Sequence, residues 1–319
     1  MLASVIATIA DEPRERLQRM IDRLAAQSIG PLEVVIAAPT RDRATVDSLH
    51  AHGSVAAIVT IDNPSGRRCP GLNLAACAAT TDVVHRVDAR SLLDRTHVAR
   101  CQTRLASDAS VGIVGGRQHS VEGNRGAMAR GVARALANPW TTGGAPYRRV
   151  GASGAVDTVY LGSFRRAELL ALGGYDETLD ANEDFDLAQR YRDSGKVVWL
   201  EDGLVVDYEA RAGLGDVWRQ YFAFGVSKVR YWRARGERPN ARQLAGLAGP
   251  VVALVGVLFA ARRGHGVAVV SAGLAAAAAL DQIAVGGRAS AAERAVAVAG
   301  SVAVPTAWAA GAYREFVRR

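Results

Sequence analysis

Short apolar runs alternate with helical patterns through the first hundred residues, and this alternation limits the possible folds more than any other feature. Residues 3–9 read as a strand, and 12–27 as a helix with Leu17, Met20, Ile21 and Leu24 on one face. Strands at 32–37 and 54–61 follow, with a helix over 41–51 between them. A helix over 71–79, a strand over 82–87, a helix over 94–106 and a strand at 111–114 continue the series. Parallel strands need crossover connections, usually helices, so the chain is expected to be α/β with a Rossmann-like, mostly parallel sheet. Ligands of such sheets gather beyond the carboxyl ends of the strands. Asp11 and Asp88 fall just past two such ends.

Residues 116–154 are rich in Gly and Arg and read as an insertion or acceptor loop. Regularity returns with a strand at 156–162, helices at 165–172 and 183–193, and a strand at 196–200. From about residue 240 the composition changes. Leu244–Ala261, Val267–Val285 and Ala295–Ala312 each approach the ~20 apolar residues that cross a bilayer. They lack the polar face of a surface helix, so a membrane region of two or three transmembrane helices is expected over 236–319. Arginines flank every stretch, and charge bias does not choose an orientation. Before them, Trp218, Tyr221, Gly225, Val229 and Trp232 recur at helical spacing among Arg219, Lys228, Arg230 and Arg233. This pattern suits an interfacial amphipathic helix over 216–235, at the end of a catalytic domain spanning 1–235, with an ordinary core-packing helix as the compatible alternative.

The net charge of +8 suits an anionic partner, either a bilayer surface or a diphosphate-bearing ligand. Aromatic residues make up 6% of the chain, and no basic block alternates with stacking aromatics in the first two hundred residues, so no nucleic-acid partner is expected. Cys69, Cys77 and Cys101 show neither CxxC nor CxxH spacing, which fits a reducing compartment. The first apolar run meets Asp11 and Glu12 and reads as a buried strand, so the chain is expected to start in the cytoplasm. His85, His97 and His119 lack ligand spacing and read as ordinary core or surface histidines.

The clearest chemical constellation is Asp180-Ala-Asn-Glu183-Asp184-Phe-Asp186 at the mouth of a helix. Such carboxylates can simply complement a helix dipole. One of them can instead be a general base whose pKa is raised by a low local dielectric. Asp11, Glu12 and Asp88 add carboxylates in the other half, a set that suits sugar hydroxyls and a phosphate-neutralising cation.

Ser4-Val-Ile-Ala-Thr-Ile-Ala-Asp-Glu12, Asn63-Pro-Ser-Gly-Arg67, Gly71-Leu-Asn73, Arg86-Val-Asp88-Ala-Arg90, Val156-Asp157-Thr158, Gly173-Gly-Tyr-Asp176, Asn182-Glu-Asp184 and Gln220-Tyr occur in that order. Together they resemble family 2 glycosyltransferases of the GT-A fold, nearest to the succinoglycan-type exopolysaccharide enzymes. The resemblance covers roughly residues 3–235. It implies that Ile9, Asp11 and Glu12 line the nucleotide pocket and that Arg67, Asn73 and Arg90 contact the donor. Asp88 matches the carboxylate that approaches a divalent cation, Mn2+ or Mg2+, and the diphosphate. Asp184 matches the catalytic base with Glu183 beside it, and Asp157 and Gln220 belong to acceptor and closing segments.

Two departures stand out. The second strand ends in Ile36-Ala-Ala-Pro39-Thr40 where the family has an Asp pair that reads the base. The third position of the DxD-type motif is Arg90, which cannot ligate a metal but can pair with phosphate. The resemblance implies an inverting hexosyltransferase of the cell membrane, its catalytic domain cytoplasmic. The implied donor is a nucleotide sugar, with UDP favoured, and the acceptor is lipid-linked or a polysaccharide. A degenerate donor-binding or scaffold subunit is the alternative. A nucleotidyltransferase would need a Gly-rich phosphate loop after the first strand, and Asp11-Glu-Pro-Arg14 is not one.

Overall fold

The computed structural model describes residues 2–122, 126–179 and 181–318. The strands are β1 (Ala3–Thr8), β2 (Leu32–Ala38), β3 (Val55–Asp62), β4 (Val83–Arg86), β5 (Ser91–Leu93), β6 (Val111–Glu122), β7 (Gly154–Ala155), β8 (Tyr160–Arg165) and β9 (Val197–Ala210). The helices are α1 (Arg14–Ala25), α2 (Arg43–Asp47), α3 (Arg68–Ala78), α4 (His97–Ser107), α5 (Ala127–Ala137), α6 (Pro139–Thr142), α7 (Arg166–Ala171), α8 (Glu183–Asp193), α9 (Leu214–Arg235), α10 (Ala241–Arg262), α11 (Gly266–Val285) and α12 (Ala291–Val317). They form two compact units: residues 1–119 with 146–208, and residues 120–145 with 209–319.

The sheet runs β3-β2-β1-β4-β8-β6-β9-β5, with β7 added beside β9. β3, β2, β1 and β4 are parallel, while β8 is antiparallel to both β4 and β6. The expected α/β sheet is therefore present, and its far half is antiparallel. The parallel half has helices against it because each βα crossover must return over a face of the sheet. Leu17, Met20, Ile21 and Leu24 of α1 are all buried in one cluster with Val5, Ala7, Val34 and Ile36, as the periodicity predicts. Full burial of such side chains contributes roughly 1.5–3 kcal/mol each. On the other face, Leu72, Ala75 and Ala76 of α3 pack with Ile6, Val35 and Ala37.

Three local expectations change. Residues 116–154 are not mainly loop: β6 continues to Glu122, and α5 and α6 follow. The buried positions of α5 are Ala129, Gly131, Val132, Ala133, Ala135 and Leu136, mostly small residues, and the Gly and Arg content of the segment accounts for the loop reading. The strand expected at 156–162 is β8 at Tyr160–Arg165, displaced towards the following helix, with Leu161 at φ 53°. The last strand of the first unit does not stop at 200. It passes through a polar Glu201-Asp202-Gly203 bend, where Glu201 is paired with Arg100 and Arg104 of α4. Asp180 and residues 123–125 lie outside the described residues.

His85 and His97 are fully buried in the first unit. The Nδ1 of His85 lies 2.8 Å from Ser163 Oγ across the β4–β8 pair, while among the described residues its Nε2 and both ring nitrogens of His97 have no hydrogen-bond partner. Burial pushes His85 down to about 3 and His97 to about 4. Folded values below the unfolded value near 6.5 mean that the unfolded chain binds more protons between pH 4 and 6.5. Stability is therefore expected to fall as pH drops through that window, on the order of 2 kcal/mol per histidine at pH 5. Urea unfolding of the full chain in detergent at pH 7.5 and pH 5 checks this. A His97→Leu variant should lose less stability between the two than the parent.

Candidate active site

The parallel half of the sheet brings the ends of four strands together at one edge. β1 leads into Ile9, Asp11 and Glu12, β2 into Arg41 and Asp42, β3 into Asp62 and Asn63, and β4 into Asp88 and Arg90. Ile9 is buried in the core and its N–H donates to Ala37 O at 3.0 Å, so it shapes the edge from behind. Asp11 sits at φ 57°, a conformation that Asp tolerates better than most side chains. Its carboxylate accepts from Nε and Nη2 of Arg41, both at 3.2 Å, and its N–H donates to Asp42 Oδ2 at 3.0 Å. Thr40 donates to Asp62 Oδ1 at 3.1 Å. The missing Asp pair of the second strand is thus bordered by three other carboxylates, from Asp11, Asp42 and Asp62.

Arg86 is the centre of the site. Strand alternation places residues two apart on the same face, so Arg86 and Asp88 project together from the end of β4. Nε of Arg86 donates to Asp88 Oδ1 at 3.2 Å, and Nη2 donates to Asp88 Oδ2 at 3.4 Å. The same Nη2 donates to Glu183 Oε1, on the first turn of α8, at 3.0 Å. Arg68, on the first turn of α3, adds a second donor to that oxygen at 3.3 Å. The Arg86 guanidinium also lies 5.5 Å from the centre of the Tyr175 ring. One buried cation therefore joins the two distant acidic stretches.

The carboxylates at the mouth of α8 have separate fates. Asp186 is buried and its Oδ2 accepts from Arg190 Nε at 2.8 Å, which ties it into the fold. Glu183 is also buried and held by two arginines. Asp184 stays exposed, makes no ion pair among the described residues, and accepts only the Phe185 N–H, at 2.8 Å.

The charges follow from this geometry. Burial alone would raise Glu183 and Asp88, but Arg86 and Arg68 outweigh it and hold both below the usual carboxylate range. Protein crowded around Asp184 desolvates and so raises it although its side chain keeps an open face, and the adjacent Glu183 charge raises it further against the opposing pull of Arg86. Two neighbouring carboxyls are thus driven in opposite directions, the pattern that separates an ionised anchor from a proton acceptor.

The remaining site residues named from the sequence are distributed unevenly. Glu12 pairs with Arg16 and lies 3.9 Å from Arg90, so these two donor-side residues meet. Arg67 caps the start of α3, where its carbonyl accepts from Asn63 Nδ2 at 3.0 Å. Asn73 is turned to the Gly173-Gly174 bend. It donates to Tyr175 O at 2.9 Å and to Glu177 at 3.0 Å, and accepts from Tyr175 N at 2.8 Å. It does not join the converging groups. Asp157 receives Gln189 on its backbone carbonyl at 3.2 Å, and its Oδ1 is buried with no hydrogen-bond partner among the described residues. Gln220 belongs to α9 in the second unit, where it accepts from Arg211 at 3.2 Å.

Sequence reading did not single out Arg86 and Arg68 as site residues. Arg86 could have been found from its i, i+2 relation to Asp88. Nothing local points to Arg68 over Arg67.

A divalent cation is implied by the resemblance, and the donor set tests it. Among the described residues no three His, Cys, Asp or Glu side chains gather around one point. Asp88 can give one oxygen ligand to an ion that takes the others from a diphosphate and water, a common arrangement for Mg2+. The residues fit a metal carried in with the donor, not a cage built by protein alone.

No protein-family model matches the chain. It is 27% identical over 227 residues to the succinoglycan biosynthesis protein ExoA of Rhizobium meliloti (strain 1021), covering 66% of this chain and 68% of the relative. Its fold is similar to that of the mannosyltransferase PcManGT from Pyrobaculum calidifontis, solved in complex with GDP-Man and Mn2+. That match has a TM-score of 0.65 at 19% identity and covers 99% of this chain and 87% of the other. TarS of S. aureus aligns with a TM-score of 0.46 at 14% identity, over 71% of this chain and 39% of its own. The chain thus shares its fold with a solved glycosyltransferase, and its sequence is related to a succinoglycan biosynthesis protein, both in keeping with the resemblance to family 2 glycosyltransferases.

Proposed function

We propose that this chain is an inverting glycosyltransferase that moves a hexose from a nucleoside-diphosphate sugar to a lipid-linked or polysaccharide acceptor in exopolysaccharide synthesis. The observation that carries the reading is the opposed pair on α8: Glu183 locked as an ionised anchor, Asp184 open and raised. The relative's part in succinoglycan biosynthesis and the neighbour's nucleotide-sugar ligand support the substrate class.

In this reading Asp184 takes the proton of an acceptor hydroxyl as its oxygen attacks the anomeric carbon. The bond from that carbon to the diphosphate breaks, and its electron pair leaves with the phosphate oxygen. Arg68 and Arg90, at the same edge, offer fixed positive charge to the departing diphosphate, where preorganised charge is most effective. A divalent cation held by Asp88 would add Lewis-acid charge at the diphosphate. The carboxylates of Asp11, Asp42 and Asp62 are offered to the ribose and base. UDP is the favoured carrier, and a donor screen that includes UDP- and GDP-sugars decides it. Three long apolar helices in the second unit support attachment to a membrane, with the donor-binding unit on the cytoplasmic side.

Asp184→Asn is expected to lower kcat by about 10²–10⁴-fold while the donor Kd stays within a few-fold. Released nucleoside diphosphate and calorimetric donor titration measure the two. Turnover at the parental rate would sink the base assignment. The acidic limb of kcat against pH should lie above the ordinary carboxylate range, because Asp184 is raised. Glu183→Gln removes the neighbouring negative charge and should move that limb to lower pH. Arg68→Gln removes a positive charge and should move it to higher pH. Chelation should slow release of the diphosphate, and Mn2+ or Mg2+ should restore it.

A further inference from the structure

Three helices of the second unit are long and apolar enough to cross a bilayer, but the structure treats them differently. Only 6% of the apolar window of α10 and 6% of that of α11 is buried in protein, against 39% for α12. The cover on α12 comes from two charge-bearing helices, α5 and α9. α5 packs on its first half: a Cβ at Gly131 would collide with Val296, one at Gly300 with Ala135, and Arg130 pairs with Glu293. α9 lies along its second half. There a Cβ at Gly225 would strike the Trp308 carbonyl, and one at Gly311 the Phe222 carbonyl. Trp232 stacks on Phe316 with ring centres 6.1 Å apart, and Arg230 reaches Glu315 at 3.0 Å.

α9 also carries Arg219, Lys228 and Arg233, with the Arg219 side chain 76% exposed. Charges of this kind are excluded from a bilayer centre unless they pair inside a bundle. A helix sheathed by α5 and α9 along its length shares their surroundings. Tyr221 and Trp232 of the aromatic face of α9 are consequently covered by α12, while Trp218 stays exposed.

α10 and α11 are joined by Arg262-Arg263-Gly264-His265, and among the described residues their buried positions are Leu247 and Asp281, both towards the outer ends. Leu247 O accepts from Tyr313 OH at 2.8 Å at one end. At the other, Arg134 Nε reaches Asp281 Oδ2 at 2.5 Å, and its Nη1 reaches Gly286 O at 2.6 Å. Beyond those anchors Leu254, Val255, Leu258, Phe259, Val270 and Leu274 are exposed. At 1.5 Å per residue, helices of 22 and 20 residues measure about 33 and 30 Å, matching the ~30 Å hydrocarbon core.

We infer that α10 and α11 alone cross the bilayer, as a hairpin with its Arg262–His265 tip on the far face, and that α12 stays on the near face with α5 and α9. The inference rests on the proposed membrane attachment and deepens it by assigning the number of spans and their sides.

Single cysteines placed by Arg238→Cys, Arg263→Cys, Arg288→Cys and Arg318→Cys in a Cys77→Ser full-length chain test it in a bacterial host. All four positions are exposed, and Cys69 and Cys101 are buried. A membrane-impermeant maleimide is applied to intact and permeabilised cells, and each variant's diphosphate release is compared with the parent as a check on folding. The expected result is that positions 238, 288 and 318 label together from one face and position 263 from the other. A split between 288 and 318 means that α12 crosses, and labelling of 263 with the other three means that the hairpin does not. Either result overturns the inference. Labelling reads topology whether or not the chain turns over donor, so failure of the proposed chemistry would show in the activity assay and leave this result standing.

Discussion

A buried guanidinium between two carboxylates is the interaction on which the first unit's site depends. Arg86 faces Asp88 with Nε and Nη2 and Glu183 with Nη2, so the end of β4 and the start of α8 are held by one charge. Removing any member would leave the others charged and desolvated, a situation that costs several kcal/mol. Such a cluster is poorly suited to add stability but well suited to fix geometry, because few other arrangements satisfy all its charges. The aromatic ring of Tyr175 beside Arg86 and the second guanidinium of Arg68 narrow the choice further.

The same cluster divides labour between adjacent residues. Glu183 and Asp184 are chemically alike and share one turn of helix, yet their surroundings separate them. The side chain of Glu183 points into the fold and meets two cations, while that of Asp184 faces solvent and feels its neighbour's charge. A helix N-terminus favours both anions. What distinguishes them is which one the arginines reach. The resulting site has a fixed ionised anchor, a carboxyl with no ion pair among the described residues, and several guanidiniums at the carboxyl edge of a parallel sheet. These are the elements that the proposed single displacement would use.

The second unit is built on a different principle. Its helices α5, α9 and α12 approach closely because Gly131, Gly225, Gly300 and Gly311 lack side chains at the crossings. Close approach lets polar and apolar helices share contacts that bulky residues would prevent. Ion pairs Arg130–Glu293 and Arg230–Glu315 then clamp the two ends of α12. Among the described residues the exposed α10–α11 pair has no such ion pairs beyond its anchors, so burial separates helices that hydropathy alone groups together.

Period-based reading of the chain succeeded where a residue's environment is set by its immediate neighbours. The βα alternation, the buried face of α1, the carboxylates beyond the ends of β1 and β4 and the three long apolar stretches all follow from local pattern. It failed where small residues carry the packing, as in α5, and where a strand continues through polar residues that find partners elsewhere, as Glu201 does with Arg100 and Arg104. The joining of Asp88 to Glu183 through Arg86, the turning of Asn73 towards Tyr175 and the burial of α12 lie beyond any local window. Periodicity reports which face of an element is apolar. Which charge meets which, and which apolar face meets protein, depends on contacts between residues some hundred positions apart, and only the folded chain decides them.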